Sequence, residues 1–330
     1  MAKSPDLFDN APASSKGYTA KDIEVLEGLE PVRRRPGMYI GGTDVHALHH
    51  LAAEILDNSM DEAVAGHASR IEIELQEGDI LTIRDNGRGI PIDPHPKFKN
   101  KSALEVIMTT LHAGGKFGGK VYDTSGGLHG VGSSVVNALS DWMEVEVARD
   151  KQAYKMRFER GHAVGKLKNM GAVNRRGTIV TFHPDAQIFG KDVHLSAATL
   201  YRMARSKAYL YRGVEIRWKC DPSLIKGETP AEDTLKFPGG LLDFLKGEID
   251  GKQTVTPRYF SGRTENRDGQ DKTKGAVEWA VTWSPDIDAF MSSYCNTIPT
   301  PMGGTHEQGL RNALTKALRA HGERANNKKT

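Results

Sequence analysis

Cysteine is nearly missing from this chain of 330 residues: there are two, Cys220 and Cys295, far apart. That excludes a disulfide framework and a cysteine metal knuckle, and reads as reduced thiols in a cytosolic protein. Long apolar runs are missing too, which excludes a membrane-spanning helix. The opening MAKSPDLFDNAPASSKG lacks the apolar core of a signal peptide and reads as a flexible tail over residues 1–17. No repeat or low-complexity tract is evident. Charge is close to balanced, with 45 lysines and arginines against 42 aspartates and glutamates. The net +3 is compatible with nucleic acid without indicating it. One local shortage is more informative. Between Leu51 and Gly66 there is no lysine or arginine at all.

What fills that stretch is acid. At roughly 100° per helical residue, Glu54, Asn58 and Asp61 fall on one stripe, with Asp57 and Glu62 at its margins and Leu56, Met60, Ala63 and Val64 opposite. The spacing predicts an amphipathic helix over 46–65, with Gly66 as its stop. So dense an anionic stripe is costly unless cations or water meet it. It is either a solvated outer face or a face that handles metal and water, and the missing basic residues favour the second.

Around this helix the chain alternates helical and period-two patterns. Tyr18 to Leu29 has helical spacing, and PVRRRPGMYIGG reads as a rigid turn whose arginines, Arg33 to Arg35, suit phosphate contact and a surface ion-pair cluster equally. IEIEL (71–75) and ILTIR (80–84) read as a hairpin, and SALEVIMTTLHA (102–113) as a helix. Further strands are expected at 143–148, 154–158, 178–183 and 214–218, with a helix at 195–211. The class is α+β: an α/β sandwich with one layer of helices on one sheet. A polar, proline- and glycine-rich stretch over 222–240 marks a domain boundary near 235. Beyond it, 239–249 reads as helix, 276–284 as a strand with Trp279 and Trp283 facing one way, and 309–325 as a basic amphipathic helix. On that helix, Arg311, Lys316 and Arg319 suit DNA contact and a solvated surface equally.

Three glycine-rich loops follow the acidic helix. Glycine lets backbone N–H groups approach a phosphate, but a glycine cluster is as often a tight turn. SGGLHGVG lacks the lysine and hydroxyl of a Walker loop, and no βαβ unit frames it as a dinucleotide fingerprint. Asp85, entering NGRGIP from a strand end, suits an exocyclic amine such as adenine presents, or an Asx turn.

Taken in order, EILDNSMDEA, DNGRGIP and GGLHGVG resemble the three nucleotide-binding motifs of the GHKL (Bergerat-fold) ATPases. RRRPGMYIG, LHAGGKF, SGGLHGVGSSVVNALS and IPTPMGGTHEQGLRNAL narrow the resemblance to the B-subunit family of bacterial type IIA DNA topoisomerases, over nearly the whole chain. LEPVRRRPGMYIG and SYCNTIPTPMGGTHEQGL look more like the topoisomerase IV branch than the gyrase branch.

The resemblance implies a GHKL ATPase domain over 18–234, then the start of a transducer domain (ribosomal protein S5 domain 2-like) over 235–330. It implies ATP with Mg²⁺, Glu54 as general base and Asn58 as metal ligand. Glu62 would pair with Arg88, Asp85 would receive the adenine amine, and Thr178 would share that contact through water. Gly87, Gly89, Ile90 and Pro91 correspond to the pocket wall. Gly114, Gly115 and Lys116, with Gly127, Leu128, His129, Gly130, Val131 and Gly132, correspond to a lid over the triphosphate. Arg149 corresponds to an arginine used by aminocoumarin inhibitors, and Tyr18 to an arm residue reaching the partner's ATP site. Implied partners are a second B subunit, the A subunit that carries the DNA-cleaving tyrosine, and double-stranded DNA, in the bacterial cytoplasm at the nucleoid.

One departure stands out. The family's Gln-Thr-Lys loop, whose lysine reaches the γ-phosphate, does not occur in these residues. The expectation is a C-terminally truncated chain, also without the toprim metal domain, that binds ATP, hydrolyses it poorly and dimerises weakly. Histidine kinases and chaperones share the ATP fold. A kinase needs a phospho-acceptor histidine helix ahead of the motifs, and a chaperone should lack IPTPMGGTH. A non-hydrolysing module would need Glu54 replaced.

Overall fold

The computed structural model describes residues 23, 25–114, 130–265 and 275–325. Two short helices open it, α1 (Glu30–Arg34) and α2 (Gly37–Ile40), where a rigid turn was expected. Pro31 lies in the first turn of α1, where its missing N–H costs nothing, so proline starts a helix here rather than excluding one. Arg33 donates to the Ala138 carbonyl and pairs with buried Asp185 at 2.7 Å, and Arg34 pairs with Glu30. For these two arginines the ion-pair reading is the one realised.

The acidic helix is α3 (Val45–Val64), one residue from the expected bounds at each end. Asp44 caps it by accepting from the Ala47 amide. Leu48, Leu51, Ala52, Ile55, Leu56, Met60 and Ala63 are buried at three- and four-residue spacing. The hairpin follows as β1 (Arg70–Gln76) and β2 (Ile80–Asp85). A small ribbon, β3 (Pro94–His95) with β4 (Phe98–Ser102), leads to α4 (Ala103–Thr109), shorter than its pattern suggested, and then to α5 (Gly132–Ala138). Next come β5 (Ser140–Arg149), β6 (Gln152–Glu159), β7 (His162–Ala172), β8 (Gly177–Pro184), α6 (Ala186–Phe189), α7 (Ala197–Leu210), β9 (Glu215–Cys220) and β10 (Glu232–Leu235).

These strands form one eight-stranded sheet in the order β10-β9-β1-β2-β8-β5-β6-β7. Its ladders are antiparallel except β1 with β9, which run parallel. One face is apolar: Ile71, Ile73, Leu75, Leu81, Ile83, Met143, Val145 and Phe182 are buried beneath the helices. The opposite face is a lattice of ion pairs, among them Lys155 with Glu144 and Glu146, and Arg84 with Glu72. The expected α/β sandwich is what forms. β7 and β10 were not anticipated. β7 is a largely exposed edge strand, and β10 is four mostly polar residues, so neither shows an apolar alternation.

Beyond Leu235 come α8 (Leu241–Glu248), β11 (Phe260–Glu265) paired with β12 (Ala276–Val281), a two-residue hairpin β13 (Tyr294–Cys295) with β14 (Ile298–Pro299), and α9 (Thr305–Arg324). β12 stops before Trp283, which is exposed outside the strand while Trp279 within it is half-buried. The two tryptophans therefore do not share a strand face.

Candidate functional site

Period-two alternation sets the floor of the site. Leu81 and Ile83 point inward from β2, and the next inward position is Asp85, so a carboxylate continues an apolar row beneath α3. Across the ladder, Thr178 holds the equivalent place on β8, and both are buried. Burial pushes the Asp85 carboxyl up from its ordinary value to about 6, and the nearby Glu62 charge adds to that rise. Amides of Gly87 (2.8 Å) and Thr178 (3.3 Å) donate to Oδ1 and oppose it. The expected Asx turn is therefore present, and it occupies one oxygen. The other, Oδ2, has a 3.4 Å contact with the Ser59 hydroxyl, leaving an acceptor for a ligand's donor.

The pocket wall is tied to this floor. The Ile90 amide donates to Thr178 Oγ1 at 3.3 Å, and Arg149 donates to the Gly89 carbonyl at 3.1 Å. Glu62 takes Arg88 in a fork: Oε1 to Nη2 at 2.6 Å and Oε2 to Nε at 3.2 Å, with the Arg88 amide also on Oε2. Pro91 is exposed at the rim. Gly177 is what lets β8 lie against this turn. With φ +113° it occupies glycine's region, and a Cβ there would lie 2.0 Å from the Asp85 carbonyl oxygen.

Glu54 and Asn58, one turn apart on α3, both face the start of α5. Asn58 Nδ2 donates to Ser133 Oγ at 3.1 Å, which turns the amide so that Oδ1 is its other edge. A Cβ on Gly132 would lie 2.0 Å from Glu54 Oε2, so a side chain there would displace the carboxylate. His50, one turn earlier, lies 3.7 Å from Glu54 Oε1. Gly114 and Gly130 are neighbours, and Val131 accepts from the Ser134 hydroxyl. Tyr18, Gly115, Lys116, Gly127, Leu128 and His129 lie outside the described residues.

The acidic stripe is thus divided. Glu54 and Asn58 face α5, Glu62 meets Arg88, Asp61 is buried, and Asp57 meets Lys207 of α7. The cations that the stripe lacks in sequence arrive from elsewhere in the chain. His50 is the one partner a local signal offered, through its i,i+4 spacing to Glu54. Ser59, Ser133, Gly177 and Lys207 had none. Among the described residues no group of three or more His, Cys, Asp or Glu could hold a metal ion, and no helix is long and apolar enough to cross a membrane.

Comparison with known proteins identifies the fold's relatives. Residues 43–188 match the family of histidine kinase-, DNA gyrase B- and HSP90-like ATPases, and residues 240–330 match the DNA gyrase B family. Fold and family match therefore define an ATPase domain of the first class. The chain is 60% identical to the B subunit of DNA topoisomerase 4 from Caulobacter vibrioides, over 94% of this chain and 45% of that protein. It is 57% identical to the counterpart from Bartonella bacilliformis, over 94% and 45%, and 43% identical to the B subunit of DNA gyrase from Thermotoga maritima, over 94% and 48%. The crystal structure of the 43K ATPase domain of Thermus thermophilus gyrase B in complex with an aminocoumarin matches with TM-score 0.74 and 37% identity, covering 92% of this chain and 75% of that one. The chain belongs to the B-subunit family of bacterial type IIA DNA topoisomerases. It spans about half the length of the curated relatives it matches.

Proposed function

We propose that this chain is the ATP-binding and ATP-hydrolysing module of a topoisomerase IV B subunit, an ATP-driven dimer clamp for strand passage, decatenation and relaxation of DNA. The observation that carries it is the buried Asp85 carboxylate, whose Oδ2 meets only the Ser59 hydroxyl among the described residues, at 3.4 Å, beneath the helix that bears Glu54 and Asn58. Asp85 Oδ2 would accept the adenine amine, with Thr178 Oγ1 contributing through water. Gly89, Ile90 and Pro91 would line the base, and the Glu62–Arg88 pair would close over it. Glu54 would take a proton from the water attacking the γ-phosphate, a reaction in which positioning and electrostatics do most of the work.

Asn58 fits Mg²⁺. Its Oδ1 is a hard oxygen ligand, and an ion held mainly by phosphates and water needs few protein ligands. Bound there, the ion would neutralise developing phosphate charge. Gly114, Gly115, Lys116 and the 127–132 segment would wrap the triphosphate, and Tyr18 would reach the partner's site. The ATPase domain would run over 18–234 and the transducer domain from 235. Arg149, already at the Gly89 carbonyl, would meet aminocoumarin-type inhibitors. The full enzyme would pair two B subunits with two topoisomerase IV A subunits on double-stranded DNA, in the bacterial cytoplasm.

Higher identity to topoisomerase 4 relatives than to the gyrase relative supports this branch, while the matched crystal structure keeps gyrase B as the alternative. The test joins this chain to the remaining length found in its relatives and mixes it with each A subunit, ATP and Mg²⁺. ATP-dependent decatenation with the topoisomerase IV A subunit alone is expected. Negative supercoiling with the gyrase A subunit would move the assignment to gyrase, and inactivity with both would overturn it.

A further inference from the structure

Lys207, near the end of α7, is the most deeply buried lysine described, its side chain 5% exposed. A cation so far out of water persists only with partners, and its two partners come from widely separated parts of the sequence, Asp57 and Thr297. Nζ meets Asp57 Oδ1 of α3 at 2.6 Å, a Coulombic contact without hydrogen-bond alignment. Its directed hydrogen bond, 2.8 Å, goes to the Thr297 carbonyl in the turn between β13 and β14. Asp57 immediately precedes Asn58 and lies three residues after Glu54, on the helix that carries both.

The turn that carries Thr297 is the two-residue loop of the hairpin, between the paired Cys295 and Ile298. Asn296 and Thr297 have φ +48° and +71°, which residues with side chains populate sparsely, and this conformation turns the Thr297 carbonyl to Lys207. A second contact from α7 reaches the same hairpin: the Tyr209 and Tyr294 hydroxyls are 2.9 Å apart, with Tyr209 stacked on Phe244 of α8. The segment between the two family matches, 43–188 and 240–330, thus supplies the strut between them.

We propose that Lys207 is a positioning residue that ties the nucleotide helix to the β13–β14 hairpin, so that nucleotide occupancy and hairpin placement bias each other. This rests on the ATP-binding reading above. If the hairpin moves away, Lys207 loses its carbonyl and its charge falls wholly on Asp57. If α3 shifts on binding nucleotide, the same cation is pulled from the hairpin side. Such coupling is reciprocal, and a buried charge with two fixed partners has few intermediate arrangements.

The test is amide hydrogen exchange at Tyr294, Cys295 and Ile298, with and without a non-hydrolysable ATP analogue and Mg²⁺, alongside the analogue's affinity. In the unsubstituted chain the analogue should change exchange there by about tenfold, within the usual range of allosteric coupling. Asp57→Asn/Lys207→Met removes both charges together, avoiding an orphaned one. It should bind the analogue within about threefold of normal while the hairpin response falls below about twofold. Tyr209→Phe should keep the response. A hairpin that does not respond in the unsubstituted chain would overturn the inference even if the double variant fails to fold. So would a full response in the double variant, or loss of response in Tyr209→Phe. An unsubstituted chain that binds no analogue would overturn the ATP-binding reading itself, and this inference with it.

Discussion

Residues up to Leu235 and residues after it are built differently. The first part closes an eight-stranded sheet under helices, with Leu48, Leu51, Leu75, Leu81, Phe158 and Phe182 fully buried. In the second, Leu245 and Ile249 are the only buried side chains among the described residues. A cavity of about 1090 Å³ opens between α8, β12 and α9, and Trp279 Nε1 and Thr282 Oγ1 are buried without a hydrogen-bond partner. The first part holds its chemistry by packing, so substitutions there are met by neighbours that cannot yield. The second is held onto the first by a few directed contacts, among them Lys207 with Thr297 and Arg212 with Glu278.

The largest effect should separate chemistry from packing within the first part. Glu54→Ala is expected to lower ATP turnover by roughly 10²- to 10⁴-fold while leaving nucleotide affinity and melting temperature nearly unchanged. Turnover surviving at a tenth of normal would remove Glu54 from the base role. Gly177→Ala comes next. Its methyl has no room beside the Asp85 carbonyl, and about 3 kcal/mol of stability should be lost, a fall of roughly 6–12 °C in Tm. A loss below about 1 kcal/mol would mean that the β8 turn yields and that the first part is softer than argued.

Asp85 gives an effect of similar size that depends on pH. Its folded pKa, about 6, lies above the ordinary 3.8, so between these values the folded state keeps a proton the unfolded chain has lost. Stability should therefore fall as pH rises from 4 to 6, by about 3 kcal/mol in all, and level off above. Asp85→Asn should flatten that fall and raise Tm at pH 8, while weakening ATP binding by roughly 10- to 100-fold. Calorimetric melting across pH checks the first expectation and titration the second.

The smallest effect belongs to the second part. Gly309 is exposed within α9, and a Cβ there meets nothing within 4 Å. Gly309→Ala should stabilise by about 0.5–1 kcal/mol through helix propensity alone. A destabilisation would show that α9 is more constrained than its exposure indicates.

Much of this was legible in the chain. Apolar spacing located α3, the β1–β2 hairpin and the inner strands because each lies against the core and shows its period. β7 and β10 lacked that signal, and the α1–α2 region was hidden by prolines and glycines that also make turns. At the site, Glu54 and Asn58 could be placed together by helical spacing, and Asp85 by its place at a strand end. Lys207 could not. In RMARSKAYLY it looks like any solvated cation, and only the tertiary fold brings it to Asp57.

The Asp85 carboxylate has one more consequence. An exocyclic amine that donates to Oδ2 favours the ionised form, so ligand and proton compete for the same oxygen. Below pH 6 each binding event should expel a proton to the buffer, and the observed heat of binding should then vary with the buffer's own ionisation enthalpy. On the proposed reading, added acid should therefore weaken ligand binding as a competitor would.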